Sequence, residues 1–457
     1  MIMACIVSGA MAIVGIAEMI RRKWNPKTEL TRKLVHLSMG AVSVSLPFLF
    51  DRPLPVLTLC GLLAISLAIT WFLGILPSVH GVKRFTGGVI YYPAAVALLF
   101  VLSADRPGFY AASILVLTVC DTLAALVGGT YGRLTYRVQG ESKSLEGSLI
   151  FFLSALLCIH VPILLLTPIG RAESLLASLL IAILVTLFEA LSVGGIDNFI
   201  IPYGTYFILE RITDEPIAVI VREIFILLCV SATILIITRT PRSLMSSGIL
   251  AVVLMAYGTW SLGDPSWSLP VILLVGSFSL SWAVFRKAPG VPESGYELRE
   301  VFHVFLVSFF ILWTVNSWGL YDPLFIPFLS TLSIAFGLLL YAWLSLIEAW
   351  KQRCEPFHRA AAASAGTILF LFLPSLVFHG GVGGGYISLS GFICLAAIFL
   401  LCVYWEKRLK GTTNFLRSIA MGQAIVGPLV FSLQGLDENP LIHPVLFLRQ
   451  IQGFITG

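Results

Sequence analysis

Asp121 lies about two-thirds of the way along an apolar run, Phe109–Val127, and opens the stretch DTLAALVGGTYGRLTYRVQGESKSLEGS, Asp121–Ser148. A carboxylate deep in such a run costs about 2.5–3.5 kcal/mol to insert and calls for a cation partner. Its bland use is a buried helix-to-helix hydrogen bond. After it, Gly128, Gly129 and Gly132 let the backbone approach an anion closely and turn its N–H groups toward it. Lys143 adds a mobile point charge. Gly147 and Ser148 open the next apolar run, where a helix N-terminus favours anions. Asp121, Glu146 and Asp197 offer hard oxygen ligands to Mg2+, which takes one or two carboxylates plus substrate phosphates. No GxxxxGK(S/T) P-loop occurs, and glycine with lysine between helices also makes a plain turn. The combination with an acid inside an apolar run gives the stretch its weight.

Two further stretches carry the same residue types. GGIDNFIIP, Gly194–Pro202, places two glycines, an acid and an amide at the end of an apolar run that holds Glu189. Asp197 also suits a helix cap and Asn198 a turn. TRKLVHLSMG, Thr31–Gly40, sets Arg32 and His36 four apart, on one helix face. An interfacial arginine also serves as a snorkelling anchor, and a lone histidine there as a structural group.

The elements that position these residues must be membrane helices. Of the 457 residues 58% are hydrophobic and 12% charged, against about 25% charged in soluble domains. Apolar runs of spanning length recur from Met1–Ile20 to Phe415–Leu433, roughly thirteen to fifteen in number. They are too long and too unalternating for barrel strands, so the expected fold class is an all-α, polytopic transmembrane bundle. Arg21, Arg22 and Lys23 follow the first run, so it reads as a spanning helix and not as a signal peptide. The eight cysteines show no CxxC pair and read as buried thiols. The net charge of +5 points to loop bias, not to a nucleic-acid partner.

Lysine and arginine accumulate in cytoplasmic loops. The basic segment Arg21–Lys33 is therefore expected inside and the N-terminus outside. Alternation then puts His36, Lys83, Arg84, Asp121, Lys143, Glu146, Glu189, Asp197 and Asn198 toward the cytoplasmic face. Phe199–Leu209 is too short for a comfortable span and leaves the later register open.

With these residues in view, DTLAALVGGTYGR…KSLEGS resembles the heart of the CTP-dependent polyprenol kinase family, which includes dolichol and phytol kinases and is distantly similar to phosphatidate cytidylyltransferases. RKLVH, GGVIYYP (Gly87–Pro93) and EALSVGGIDNFIIP (Glu189–Pro202) resemble that family's segments in the family's order. The resemblance covers about residues 1–237. It implies a cytoplasmic site for CTP and Mg2+ and phosphoryl transfer to a long isoprenoid alcohol. Carried over residue by residue, Asp121, Lys143 and Glu146 are catalytic. Gly128, Gly132, Lys143, Gly147, Asp197, Asn198 and His36 bind the nucleotide. Asp121, Glu146 and Asp197 hold the metal.

Residues 238–457 exceed a single domain of that family and read as an additional transmembrane domain. In it YELREVFHVFLVS, Tyr296–Ser308, faintly echoes ELTRKLVHLSMGA: Arg299 and His303 stand four apart, as Arg32 and His36 do. No acid with a KSLEGS equivalent follows. HGGVGGGY, His379–Tyr386, reads as a turn. Two rival functions stay open: a cytidylyltransferase making a CDP-lipid, and an ion-coupled transporter using Asp121 and Glu189.

Overall fold

The computed structural model describes residues 2–24, 28–74, 87–239, 242–285, 295–346, 354–380, 384–408 and 412–433. Lys83, Arg84 and residues 381–383 of the glycine-rich turn lie outside them. Eleven described helices are long and apolar enough to cross a membrane, and three shorter apolar helices accompany them. The protein is a multi-pass, all-α membrane bundle. It divides into two compact units, Met1–Ile226 and Leu227–Gly457, and the division falls within one helix.

The first unit contains α1 (Ile2–Trp24), α2 (Thr28–Leu49), α3 (Pro53–Phe72), α4 (Gly88–Leu102) and α5 (Pro107–Leu115). A π-helical turn, Val116–Cys120, joins α5 to α6 (Asp121–Tyr131) without a break. A hairpin of β1 (Thr135–Val138) and β2 (Glu141–Ser144) follows, then α7 (Leu145–Leu166), α8 (Arg171–Leu191), α9 (Asp197–Ile212) and the start of α10 (Ile217–Arg239). Its apolar core gathers Leu46 of α2, Val56 of α3, Leu99 and Phe100 of α4, and Tyr110, Ile114 and Leu117 of the α5 segment. In an apolar sequence of this kind the close contacts fall to small residues. A Cβ on Gly40 would meet the Thr118 side chain at 2.3 Å, so glycine lets α2 lie against the π turn.

The glycine-rich stretch after Asp121 differs from the loop expected of it. Gly128 and Gly129 are helical, within α6, and residues 135–144 form the antiparallel hairpin. Its two-residue turn has Gln139 and Gly140 at φ of 47° and 85°, as a tight hairpin of right-handed twist requires. The apolar stretch after Asp197 likewise forms a helix of 16 residues, α9, with Pro202 inside it.

The second unit contains α11 (Ser246–Leu262), α12 (Pro265–Phe285), α13 (Leu298–Trp318), α14 (Tyr321–Leu346), α15 (Pro356–Thr367), α16 (Leu373–His379), α17 (Gly384–Arg408) and α18 (Thr412–Leu433). A π turn, Ile368–Phe372, joins α15 to α16. α14 is its axis: it packs against α12, α13, α15, α17 and α18 and is buried along nearly its whole length. Its Ser330, Thr331 and Ser333 hydroxyls donate to carbonyls of their own helix, and Thr331 also pairs with Ser308 of α13.

Candidate active site

α2 presents Lys33, His36, Gly40 and Ser43 at helical spacing, and this face meets the π turn and the start of α6. A π turn leaves carbonyls without their usual helical donor, and such turns recur at functional sites. Here His36 Nε2 lies 3.2 Å from the Leu117 carbonyl oxygen. A carbonyl only accepts, so the proton sits on Nε2 and the neutral ring keeps its lone pair on Nδ1. Nδ1 has no hydrogen-bond partner among the described residues. The same Nε2 is 3.6 Å from Asp121 Oδ2.

Lys33 is 5% exposed, and its Nζ donates to Asp121 Oδ2 at 2.6 Å and to the Asp121 carbonyl at 3.4 Å. This is the cation that the intramembrane carboxylate calls for. The sequence analysis singled out its neighbour Arg32 and passed over Lys33. The usable signal was its i, i+3 relation to His36, which puts both on one helix face. Arg32 is held by Glu29, with N···O distances of 2.6 and 3.2 Å. Beneath His36 the ring of Tyr92 stands edge-on at 5.2 Å. The Tyr92 hydroxyl pairs with Ser43 Oγ at 2.9 Å, and the Tyr110 hydroxyl donates to the Ser43 carbonyl at 3.0 Å. Tyr92 and Tyr110 thus both anchor on Ser43, one through its hydroxyl and one through its carbonyl.

The start of α9 closes the opposite wall. Gly194 and Gly195 have φ of 66° and 87°, and a Cβ on Gly195 would meet the Gly88 nitrogen at 2.6 Å, so both the turn and the close approach require glycine. The Asn198 side chain donates to the Gly88 carbonyl at 3.1 Å and ties α9 to α4. The Asp197 carboxylate accepts from the Asn198 N–H at 3.0 Å. Burial, and after it the Asp121 charge, push the Asp197 carboxyl up to about 6.

These residues line a cavity of about 260 Å3: Glu29, Arg32, Lys33, His36, Asp121, Glu141, Gly194, Gly195, Asp197 and Asn198. Its charged lining comprises four acids (Glu29, Asp121, Glu141, Asp197) and two bases (Arg32, Lys33). An excess of carboxylate at a buried surface favours a cation. The residues fit a divalent ion in the type of their donors: Asp121 and Asp197 place two hard carboxylates in the lining of one cavity.

The remaining expected site residues fall elsewhere. Glu146 does not line the cavity. Its carboxylate accepts from the backbone N–H groups of Arg133 and Leu134 at 3.0 and 3.2 Å. Among the described residues no group of three or more His, Cys, Asp or Glu stands together to hold a metal. Gly128, Gly132 and Gly147 surround the Ser144 hydroxyl. Added Cβ atoms would meet its Oγ at 2.8, 2.8 and 3.1 Å, so these glycines serve the crossing of α6 and α7. Ser144 caps α7 by accepting from the Gly147 N–H. Lys143 donates to Glu189 Oε1 at 2.9 Å and to the Glu189 carbonyl. It is absent from the cavity lining.

The chain is 36% identical over 197 residues to a phytol kinase of Synechocystis sp., a match covering 42% of this chain and 84% of that one. It is 27% identical over 164 residues to CTP-dependent diacylglycerol kinase 1 of Schizosaccharomyces pombe, covering 30% of this chain and 69% of that one. No family model matches, and no solved structure matches with significance.

Proposed function

The chain belongs to the phytol and polyprenol kinase family of membrane lipid kinases, and from that premise we propose that it transfers the γ-phosphoryl group of CTP to a long-chain isoprenoid alcohol. The observation that carries this reading is the Lys33–Asp121–His36 cluster at the head of a cavity with surplus acid. A hydroxyl nucleophile must lose a proton, whereas a lipid phosphate has none to lose. His36, with Nε2–H committed to the Leu117 carbonyl, offers Nδ1 as the acceptor. That favours an alcohol over the phosphate acceptor of a cytidylyltransferase.

In the proposed reaction the alcohol oxygen bonds to the γ-phosphorus as the bond to the β-phosphate oxygen breaks. CDP leaves, and the hydroxyl proton passes to His36 Nδ1. Lys33 and Arg32 supply positive charge to the polyphosphate, Arg32 through a planar fork that matches phosphate oxygens. Asp121 both orients Lys33 and His36 and, with Asp197, would hold Mg2+, which neutralises charge on the transferring group. The chain Tyr92–Ser43–Tyr110 fixes the ring of His36 from below. The basic segment that begins at Arg21 supports a cytoplasmic opening for the cavity. We assign the reaction to residues 1–237 and treat 238–457 as a helical domain without assigned chemistry.

The test is purified protein in detergent with Mg2+ and CTP labelled either at the γ-phosphate or in the cytidine. The acceptors are phytol, a long polyprenol and diacylglycerol. γ-label entering an isoprenoid alcohol is expected. Cytidine in the lipid would establish the cytidylyltransferase instead, γ-label confined to diacylglycerol would reassign the acceptor, and neither label in any lipid would remove the kinase reading.

A further inference from the structure

We propose that Glu29 is a positioning residue for phosphoryl transfer: it grips one edge of the Arg32 guanidinium, so that the opposite edge is presented to the polyphosphate and the guanidinium is kept off Asp197. This rests on the nucleotide-binding reading above.

Glu29 stands in the first turn of α2, three residues before Arg32, so the two share a helix face. Both line the cavity, and both keep contact with solvent, at 34% side-chain exposure for Arg32 and 47% for Glu29. Their pairing is specific about edges. Arg32 Nε donates to Glu29 Oε2 at 3.2 Å, and Nη2 donates to Oε1 at 2.6 Å. A guanidinium carries five N–H donors in one plane. Two of them are taken by Glu29. The others, on Nη1 and the second position of Nη2, make up the far edge, and Nη1 has no hydrogen-bond partner among the described residues. Such an edge matches two phosphate oxygens. An unheld arginine loses rotamer freedom when it binds them. Here the carboxylate has already fixed the plane, which lowers that cost.

The acids of the cavity supply the second half of the reasoning. The negative charges of Asp121 and Asp197 also act on Arg32. Asp121 has its own cation, the Lys33 ammonium at 2.6 Å. Asp197 accepts from the Asn198 N–H and makes no ion pair among the described residues. Released from Glu29, a long and flexible arginine at a cavity with surplus acid turns to the carboxylate that lacks a cation. An Arg32–Asp197 pair would take a charge from the polyphosphate and a carboxylate from a divalent ion at once. Glu29 thus serves both without touching either.

This expectation runs against the field of the charge itself. Removing an acid from an acid-rich cavity should, by Coulomb attraction alone, tighten an anion. Glu29→Gln should instead weaken CTP about tenfold, the scale of a charge-assisted contact given up. The substitution is nearly isosteric and partly exposed, so the fold is not at risk.

CTP binding to the full-length protein in detergent is measured with and without Mg2+, beside the KM and kcat of γ-label transfer. For Glu29→Gln the KM for CTP should rise about tenfold while kcat stays within about threefold. Glu29→Asp keeps a charge three residues from Arg32 and should lose less than about threefold. In an Arg32→Ala background, which is itself weak, Glu29→Gln should weaken CTP no further. The Mg2+ concentration for half-maximal transfer should rise in Glu29→Gln, where Arg32 contests Asp197, and not in the Arg32→Ala background. A wild type that binds no CTP would remove the nucleotide reading and this proposal with it. If the wild type binds CTP and Glu29→Gln binds it equally well or better, the positioning role alone is rejected. A loss that persists in the Arg32→Ala background rejects it too, as does Glu29→Asp failing as badly as Glu29→Gln. A fall in kcat as large as the rise in KM would mark a general structural lesion and also reject it. An unchanged Mg2+ requirement would strike the part that concerns Asp197.

Discussion

Arg32 with His36 on α2, and Arg299 with His303 on α13, show the same residue types at the same spacing in the two units. Their surroundings differ completely. His36 reaches the Leu117 carbonyl, 81 residues away in sequence, and shares Asp121 with the buried Lys33. His303 Nδ1 turns back to the Arg299 carbonyl of its own helix, at 2.7 Å. The inward face of α13 is Val301, Val304, Phe305 and Ser308, with Ser308 paired to Thr331 at 2.8 Å. Gln423 of α18 closes that region by donating to the Val304 and Thr331 carbonyls. In these contacts the second unit buries neutral hydroxyl and amide groups that serve packing. The first buries opposite charges around a cavity. Removing one partner of a buried ion pair costs much more than the pair contributes, so such an arrangement marks function more readily than stability.

The comparison can be broken most directly at Asp121. Asp121→Asn should lower CTP-dependent label transfer by about a thousandfold, in line with the loss of a principal electrostatic group, while the protein still elutes as a folded species. A folded variant with normal transfer would reduce Asp121 to a helix-packing contact.

Lys33→Met separates stability from chemistry. It leaves the Asp121 carboxylate buried without its cation, a cost of about 3–5 kcal/mol, read as a lower midpoint of thermal unfolding in detergent. The double variant Lys33→Met with Asp121→Asn should regain most of that stability and none of the transfer. If Lys33→Met alone unfolds as the wild type does, the pair is not buried as described.

His36→Gln sharpens the assignment of the proton. A glutamine amide can donate to the Leu117 carbonyl but accepts no proton, so turnover should fall by about 10²–10³-fold with CTP affinity retained. An equal loss of CTP binding would move His36 to the nucleotide.

Arg299→Ala and His303→Ala should change transfer by no more than about twofold, the usual reach of substitutions remote from a site. In the same spirit, a chain ending after Arg239 should retain CTP-dependent transfer if it is folded and monodisperse. A folded truncation that binds CTP without turning over would give the second unit a share of the site.

Composition and run length were enough to read a helical membrane bundle, because a bilayer admits few other backbones and demands a fixed length of apolar chain. The chemistry was legible in types: an acid in an apolar run requires a cation, and Asp121, His36, Asp197 and Asn198 do line one cavity. Which cation answers Asp121 was not legible. Arg32, Lys33 and Lys143 are all plausible by charge, and the choice of Lys33 depends on how close α2 comes to the π turn, which Gly40 permits. The packing of Gly128, Gly132 and Gly147 and the backbone contacts of Glu146 were not legible for a related reason. Glycine suits a phosphate cradle and a helix crossing alike, and a glutamate serves a cation and a backbone amide alike. Residue type states what a side chain is able to bond; only the packing of distant segments decides what it meets, because the partners lie dozens of residues apart and are chosen by shape.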